Sequence, residues 1–128
     1  MGGNIESEYN LKDGKRHGIA KAYYKNGSVN ISGNFSNGDA SGKVIEFDLD
    51  GVKIGEWEMK NDLKNGKQIK YEDSKIKSIE NFKDGIKVGE YIRYTFDENG
   101  KLKLTDFNLE NATERKKFEA ISKEIIST

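Results

Sequence analysis

The sequence predicts a mainly β protein: an elongated single-sheet meander of consecutive antiparallel hairpins, closed by a C-terminal α-helix. Glycines recur at positions 18, 42, 66 and 89, at intervals of 24, 24 and 23 residues, and an aromatic residue follows each one five positions later. Turn-forming pairs such as Asn26-Gly27 and Asp50-Gly51 come next, and the chain has no proline to interrupt a ladder. A repeat of this length indicates one supersecondary unit per copy.

The segment after each repeat glycine has the alternation of a β-strand with one covered face. The third and fifth positions after the glycine are mostly apolar, as in Ile45/Phe47 and Ile69/Tyr71, whereas the fourth is mostly polar. These segments and the return segments between them define the predicted strands in order. The strands are expected near 5–11, 19–24, 29–36, 43–48, 52–59, 67–72, 76–83, 90–96 and 102–109.

The hairpins alternate between a long and a short form. The distance from the aromatic of each return segment to the next repeat glycine is nine residues from Tyr9 and Trp57, but seven from Phe35 and Phe82. The alternation indicates that the structural period is a pair of hairpins. We also expect a ring from a neighbouring strand to lie across each repeat glycine, since such a ring recovers burial where the glycine has no side chain.

The chain divides into three segments. Residues 1–8 form a lead-in, whose Met1-Gly2-Gly3 is more typical of an added start than of a natural one. Residues 9–109 form the repeat sheet. Residues 110–128 carry an amphipathic stripe at Phe118, Ile121, Ile125 and Ile126 and are predicted to be helical. This helix is expected to cap the last strand; the alternative is a helix that binds the groove of another protein.

Composition excludes several classes of site. Lys+Arg and Asp+Glu each number 22, so there is no basic surplus of the kind that favours nucleic acid or an anionic membrane. Without cysteine there can be no disulfide and no thiolate metal site, and the single histidine excludes a multi-histidine metal site. His17 has no partner for acid–base chemistry fixed by the sequence. Asp48-Leu49-Asp50-Gly51 lacks the later ligands of a calcium loop and is expected to be a turn. We therefore expect neither a cofactor nor a catalytic site.

The units resemble MORN repeats, in particular a bacterial variant in which a Gly-x-aromatic-x-Asn-Gly segment precedes a glycine and a second aromatic. Gly33-Asn34-Phe35-Ser36-Asn37-Gly38 followed by Gly42 and Phe47 has this pattern, and residues 11–27 give the closest single match. The resemblance covers about residues 9–109. It implies a ribbon of hairpins that acts as a scaffold or interaction module, and some bacterial relatives carry an antitoxin label.

The predicted function is a non-enzymatic repeat scaffold that binds a protein partner through a face of its sheet. The alternative is an antitoxin or immunity-like protein that neutralises one specific toxin. Self-association through the N-terminal edge strand near Tyr9 is a further hypothesis. The compartment stays open: cytoplasmic, or exported if a signal peptide preceded Met1. The predicted partner-binding residues are aromatic: Tyr23, Phe47, Trp57, Tyr71 and Tyr94.

Overall fold

The computed structural model describes residues 6–109 together with Thr113 and Lys116. The described part is built of strands. They are β1 (Ser7–Glu8), β2 (Leu11–Lys12), β3 (Lys15–Arg16), β4 (Gly18–Tyr23), β5 (Val29–Ser36), β6 (Asp39–Ala40), β7 (Gly42–Phe47), β8 (Lys53–Lys60), β9 (Leu63–Glu72), β10 (Lys75–Lys83), β11 (Ile86–Phe96) and β12 (Leu102–Asn108).

The strands form one antiparallel meander, as the repeat predicts. A ten-stranded sheet has the order β1-β4-β5-β7-β8-β9-β10-β11-β12, with β6 on β5, and β2 and β3 pair separately. The predicted single strand at 5–11 is wrong: the chain breaks at Tyr9-Asn10 between β1 and β2. The predicted helix over 110–128 lies outside the described residues except for Thr113 and Lys116, and it stays a prediction.

The break at Tyr9-Asn10 reflects a division of each hairpin into a body and a short tip. In the first hairpin Glu8 lies opposite Lys21 in the body, whereas Leu11 lies opposite Arg16 in the tip. The second hairpin repeats this 24 residues later. Each tip closes with a two-residue turn, and both turn residues have positive φ, as type I′ hairpin turns require. These turns are Asp13-Gly14, Asn37-Gly38, Asn61-Asp62 and Asp84-Gly85.

The repeat glycines lie where the tip joins the body. Gly18, Gly42 and Gly66 have φ of 85°, 91° and 108°, a conformation that glycine adopts without a steric penalty. The expectation that a ring covers each glycine is wrong. A Cβ built on Gly18 would meet nothing within 4 Å, and one on Gly66 would meet only Glu58. The glycines are therefore needed for their backbone conformation rather than for ring packing.

The turns at the other end of the bodies accompany a repeated β-bulge. Each ring at the fifth position after a repeat glycine follows a register shift against the next strand: Tyr23 lies opposite Val29, whereas Ala22 lies opposite Ile31. Similar shifts adjoin Phe47, Tyr71 and Tyr94. A bulge increases the local right-handed twist, so the sheet twists once per hairpin.

Cross-strand register assigns each side chain to one of two faces, because residues directly opposite each other share a face. We call one the groove face. A row of opposed residues crosses it in the order Val44, Trp57, Gln68, Glu80, Tyr91. We call the other the ring face. The corresponding row there is Ile45, Glu56, Ile69, Ile79, Ile92, Phe107.

Burial is shallow throughout the described part of the chain. Its buried apolar residues are Val44, Ile92 and Leu109, and none of its side chains falls below 2% exposure. A single sheet layer covers each side chain mainly from its neighbours in the plane, so a deep core is absent from this part. Stability must come from pairs of adjacent strands, as in other repeat proteins.

Candidate protein-binding groove

An apolar groove of about 340 Å³ crosses the N-terminal half of the groove face. Its floor is made by small or aliphatic residues that include Ala20, Ala22, Gly33 and Val44. Its walls are larger side chains: Tyr9, Phe35, Trp57 and Met59. The groove therefore combines a low floor with aromatic walls, which is the composition typical of binding sites.

The groove is deep at this end because the first hairpin carries alanine at two positions that are larger in the other copies. Ala20 and Ala22 are the second and fourth residues after Gly18. The same positions hold Val44 and Glu46 in the second hairpin, then Gln68 and Lys70, then Tyr91 and Arg93. These two alanines were a signal in the sequence that the analysis of the rings did not use.

Two stacks of a cation between two rings hold the walls in place. The guanidinium carbon of Arg16 lies 4.6 Å from the ring centre of Tyr9 and 5.6 Å from that of Phe35. The Nζ of Lys64 lies 5.0 Å from the ring centre of Trp57 and 5.2 Å from that of Phe82. Lys64 follows Arg16 by 48 residues, as Trp57 follows Tyr9. The predicted period of two hairpins is therefore visible in these contacts.

Hydrogen bonds between neighbouring tips fix the backbone that carries these cations. Gly38 donates its N–H to the carbonyl of Arg16 at 2.9 Å, and Gly85 donates to the carbonyl of Lys64 at 2.8 Å. Between them, Asp62 donates to the carbonyl of Ala40 at 3.1 Å. Each tip is thus tied to the next, and the stacks rest on a continuous line of hydrogen bonds.

The C-terminal half of the groove face is polar. Lys87 Nζ lies 2.6 Å from Glu80 Oε2, and the hydrogen bond from Lys87 lowers the pKa of Glu80. Arg93 lies 3.4 Å from the Asp106 carboxylate, which also accepts the Tyr91 hydroxyl and so raises the pKa of Tyr91. Apolar surface on this face therefore belongs to the first hairpins.

The five predicted binding residues lie on two different faces. Tyr23, Phe47, Tyr71 and Tyr94 each follow a ring-face residue by two positions and share its face. Trp57 lies on the groove face, where a Cβ built on Gly55 would be 3.8 Å from its Cζ3 atom. A ring does lean over a glycine here, but over the glycine two residues before it. Tyr9, Arg16, Phe35 and Lys64 were not among the predicted binding residues.

On the ring face, Tyr71 belongs to a polar cluster set among isoleucines. Its hydroxyl donates to Glu56, and Lys53 Nζ lies 4.8 Å from its ring centre. The hydrogen bond from Tyr71 lowers the pKa of Glu56, and the charges of Lys53 and Lys43 act in the same direction. The same hydrogen bond raises the pKa of Tyr71. Tyr23 and Glu8 form the equivalent pair 48 residues earlier.

The polar residues weighed for chemistry have structural positions. Asp48 Oδ1 accepts the backbone N–H groups of Asp50 and Val52, each at 2.9 Å, so Asp48-Leu49-Asp50-Gly51 forms the predicted turn. His17 lies between β3 and β4, and its N–H donates to the carbonyl of Asn10 at 2.9 Å. The described residues contain no group of three or more His, Asp or Glu side chains arranged to hold a metal ion. Nor does a described helix have the length and hydropathy to cross a bilayer.

Comparison with solved structures gives a weak match. A chain in the crystal structure of accessory secretory proteins 1, 2 and 3 from Streptococcus pneumoniae aligns at 13% identity with a TM-score of 0.46. The alignment covers 82% of this chain and 20% of that chain, so the protein spans about a fifth of that chain's length. No curated protein sequence matches the chain.

Comparison with family models confirms the resemblance noted in the sequence. The matched residues run from the end of β3 to the turn of the second tip, through the first body and its bulge. The same body, bulge and tip recur along the sheet in the copies that follow. Residues 16–37 match the model of the MORN repeat variant, a family of repeat and interaction modules.

Proposed function

We propose that this protein is a non-enzymatic repeat scaffold that binds a protein partner in the groove on its groove face. The observation that carries the proposal is the contrast along this face: apolar walls and an alanine floor over β1–β8, then ion pairs over β9–β12. A cavity of about 340 Å³ has room for a few side chains of a partner. Trp57 in its wall belongs to the residue type most enriched at binding hot spots.

The electrostatics of the sheet support a binding role over a catalytic one. The acidic side chains with lowered pKa, Glu56 and Glu80, are each paired with lysine, and both stay charged at neutral pH. A general acid or base would need a pKa near the working pH. Paired carboxylates of this kind stabilise the sheet and leave the groove to apolar contact.

The test uses the placement of two rings on opposite faces. Trp57→Ala truncates a wall of the groove, whereas Tyr71→Ala removes a ring of similar exposure from the ring face. Each tagged full-length variant would be expressed in its native host, cross-linked and purified, and co-purifying proteins would be identified by mass spectrometry. We expect a reproducible partner with the wild type and with Tyr71→Ala, and its loss with Trp57→Ala.

Circular dichroism and an unfolding curve would verify that both variants are folded. A partner captured equally by all three proteins would overturn the assignment to the groove. A partner lost only with Tyr71→Ala would move the binding surface to the ring face, where the other four predicted residues lie. Binding of the purified partner to the purified variants would then be measured by calorimetry.

A further inference from the structure

The outer edge of β1 is open for strand pairing. On its inner side Ser7 lies opposite Ala22, Glu8 lies opposite Lys21, and Glu6 accepts the N–H of Tyr23 at 2.9 Å. Within the described residues, β1 has no neighbour on its other side, whereas the equivalent strand β5 is paired by both β4 and β7. The backbone groups on that side of β1 are therefore free to accept a further strand.

The two faces of β1 differ in charge. Glu6 and Glu8 alternate with Ser7 and lie on the ring face, because Glu8 is opposite Lys21 there. Ser7 and Tyr9 lie on the groove face and line the apolar groove. A strand added at this edge would place alternate side chains beside two carboxylates and the others beside the groove.

A second copy of the chain fits this edge poorly. Two β1 strands paired antiparallel about Ser7 would set Glu6 of each copy opposite Glu8 of the other, and like charges directly opposite each other are destabilising. In the alternating order of the sheet, β1 and β12 run in the same direction. Joining them head to tail would therefore give a parallel pair, unlike every other pair in the sheet.

We propose that the β1 edge binds an extended segment of a protein partner whose residues alternate between basic and apolar. The segment pairs antiparallel with Glu6–Tyr9, its basic side chains face Glu6 and Glu8, and its apolar side chains enter the groove beside Tyr9. Main-chain hydrogen bonds supply affinity and the alternating pockets supply specificity in this mode of recognition. The inference rests on the proposed function and names the partner's chemistry and its mode of binding.

The test uses capped synthetic hexapeptides and the full chain. The probe alternates lysine and valine; one control alternates glutamate and valine, and a second contains the lysine–valine sequence with alternate backbone nitrogens methylated. Binding would be followed by calorimetry and by the fluorescence of Trp57, the sole tryptophan. We expect the lysine–valine peptide to bind at least about tenfold more tightly than either control.

Charge reversal provides a second, independent measurement. Glu6 and Glu8 are exposed, so Glu6→Lys/Glu8→Lys is expected to stay folded, as circular dichroism would verify. This variant should reverse the preference and bind the glutamate–valine peptide more tightly. Equal binding of the methylated and unmethylated peptides would overturn strand pairing, and an unchanged preference in the variant would overturn the role of the two carboxylates.

The outcomes separate this inference from the proposed function. A Trp57-dependent partner that lacks an alternating segment, with no peptide binding, would overturn the edge assignment and leave the groove function standing. A dimer in sedimentation equilibrium that is strengthened by Glu6→Gln/Glu8→Gln would instead assign the edge to self-association, the hypothesis raised by the sequence. Loss of both partner capture and peptide binding would overturn both proposals.

Discussion

At the scale of single residues, the repeat glycines show how a sequence signal can be right in position and differ in cause. Gly18, Gly42 and Gly66 recur because the junction of tip and body needs positive φ. The fourth copy departs from this rule. Gly89 and Glu90 lie between the pairs Asn81–Val88 and Glu80–Tyr91, and Gly89 is not among the described glycines with positive φ.

Gly42→Ala is expected to destabilise the fold by about 1–2 kcal/mol, the typical cost of the left-handed conformation for a residue with a side chain. The added methyl itself fits, because its nearest neighbours lie 3.9 Å away. The matched control is Gly33→Ala on the adjoining strand, where the methyl would lie 3.5 Å from Val44 and φ is unstrained. Urea unfolding would measure both. A cost as large for Gly33→Ala would show that crowding rather than φ decides.

Tyr71→Phe is expected to lower the free energy of unfolding by about 1 kcal/mol at pH 7, because it removes a hydrogen bond to a charged group. The folded-state pKa of Glu56 lies below its ordinary value of 4.5, so this stability is present above pH 4.5 and is lost as the pH falls through the folded-state pKa. The pKa of Tyr71 is raised above 10.0, so the contribution is present below pH 10.0 and is lost as the pH rises through the folded-state pKa.

The difference between wild type and Tyr71→Phe should therefore be largest between those limits. Urea unfolding curves recorded from acid to alkaline pH would measure it. Tyr23→Phe is the matched control, since Tyr23 makes the same contact to Glu8 at an exposed position and should give a smaller effect. A difference that does not change with pH would show that the Tyr71 hydroxyl does not act through Glu56.

At the scale of secondary-structure elements, hairpins join in pairs through the cation–ring stacks. Trp57, Lys64 and Phe82 come from β8, β9 and β10, so one stack spans three strands. The intermediate tip has Ala40 where the others have Arg16 and Lys64. Only alternate tips can therefore form a stack, which is the physical basis of the two-hairpin period.

Lys64→Met keeps the length of the side chain and removes its charge, and it is expected to cost about 0.5–1 kcal/mol, the usual value of an exposed cation–π contact. The emission of Trp57 should change as well. Lys67→Met is the control, because Lys67 is exposed on the same strand and lies opposite Asn81. Equal effects of the two substitutions on stability and on Trp57 emission would contradict a specific role for the stack.

At the scale of the whole molecule, a single sheet of successive hairpins should not unfold with uniform protection. Interior strands have neighbours on both sides and hold Val44, Ser78 and Ile92, which are buried, whereas β1 pairs along two residues and the tips are exposed. In such chains stability depends on the interfaces between neighbours, so the edge opens before the interior.

Hydrogen exchange is therefore expected to be fastest in β1 and in the tip strands β2 and β3, and slowest in β7–β10. Mass spectrometry with overlapping peptides would map the protection. A bound lysine–valine peptide should slow exchange in β1 and β4 first. Protection that is uniform along the chain would indicate one cooperative unit and contradict the nearest-neighbour description.

Much of the fold could be predicted because the repeat is local. The alternation of Ile45/Phe47 and Ile69/Tyr71, and the turns at Asn26-Gly27 and Asp50-Gly51, each reflect interactions within one hairpin, and the structure bears them out. The break at Tyr9-Asn10 could not be predicted, since it depends on a bulge that exists only when two strands pair. The groove also escaped prediction, because its walls come from strands that are distant in sequence.

The sequence by itself determined the unit, its length, the order of its strands and the face that carries Tyr23, Phe47, Tyr71 and Tyr94, because a period of two residues assigns faces within a strand. Only the tertiary structure decided that Trp57 lies on the opposite face and joins Tyr9 and Phe35 around a groove. The reason is physical: register, bulges and twist arise between strands, and a change of one residue in register exchanges the two faces.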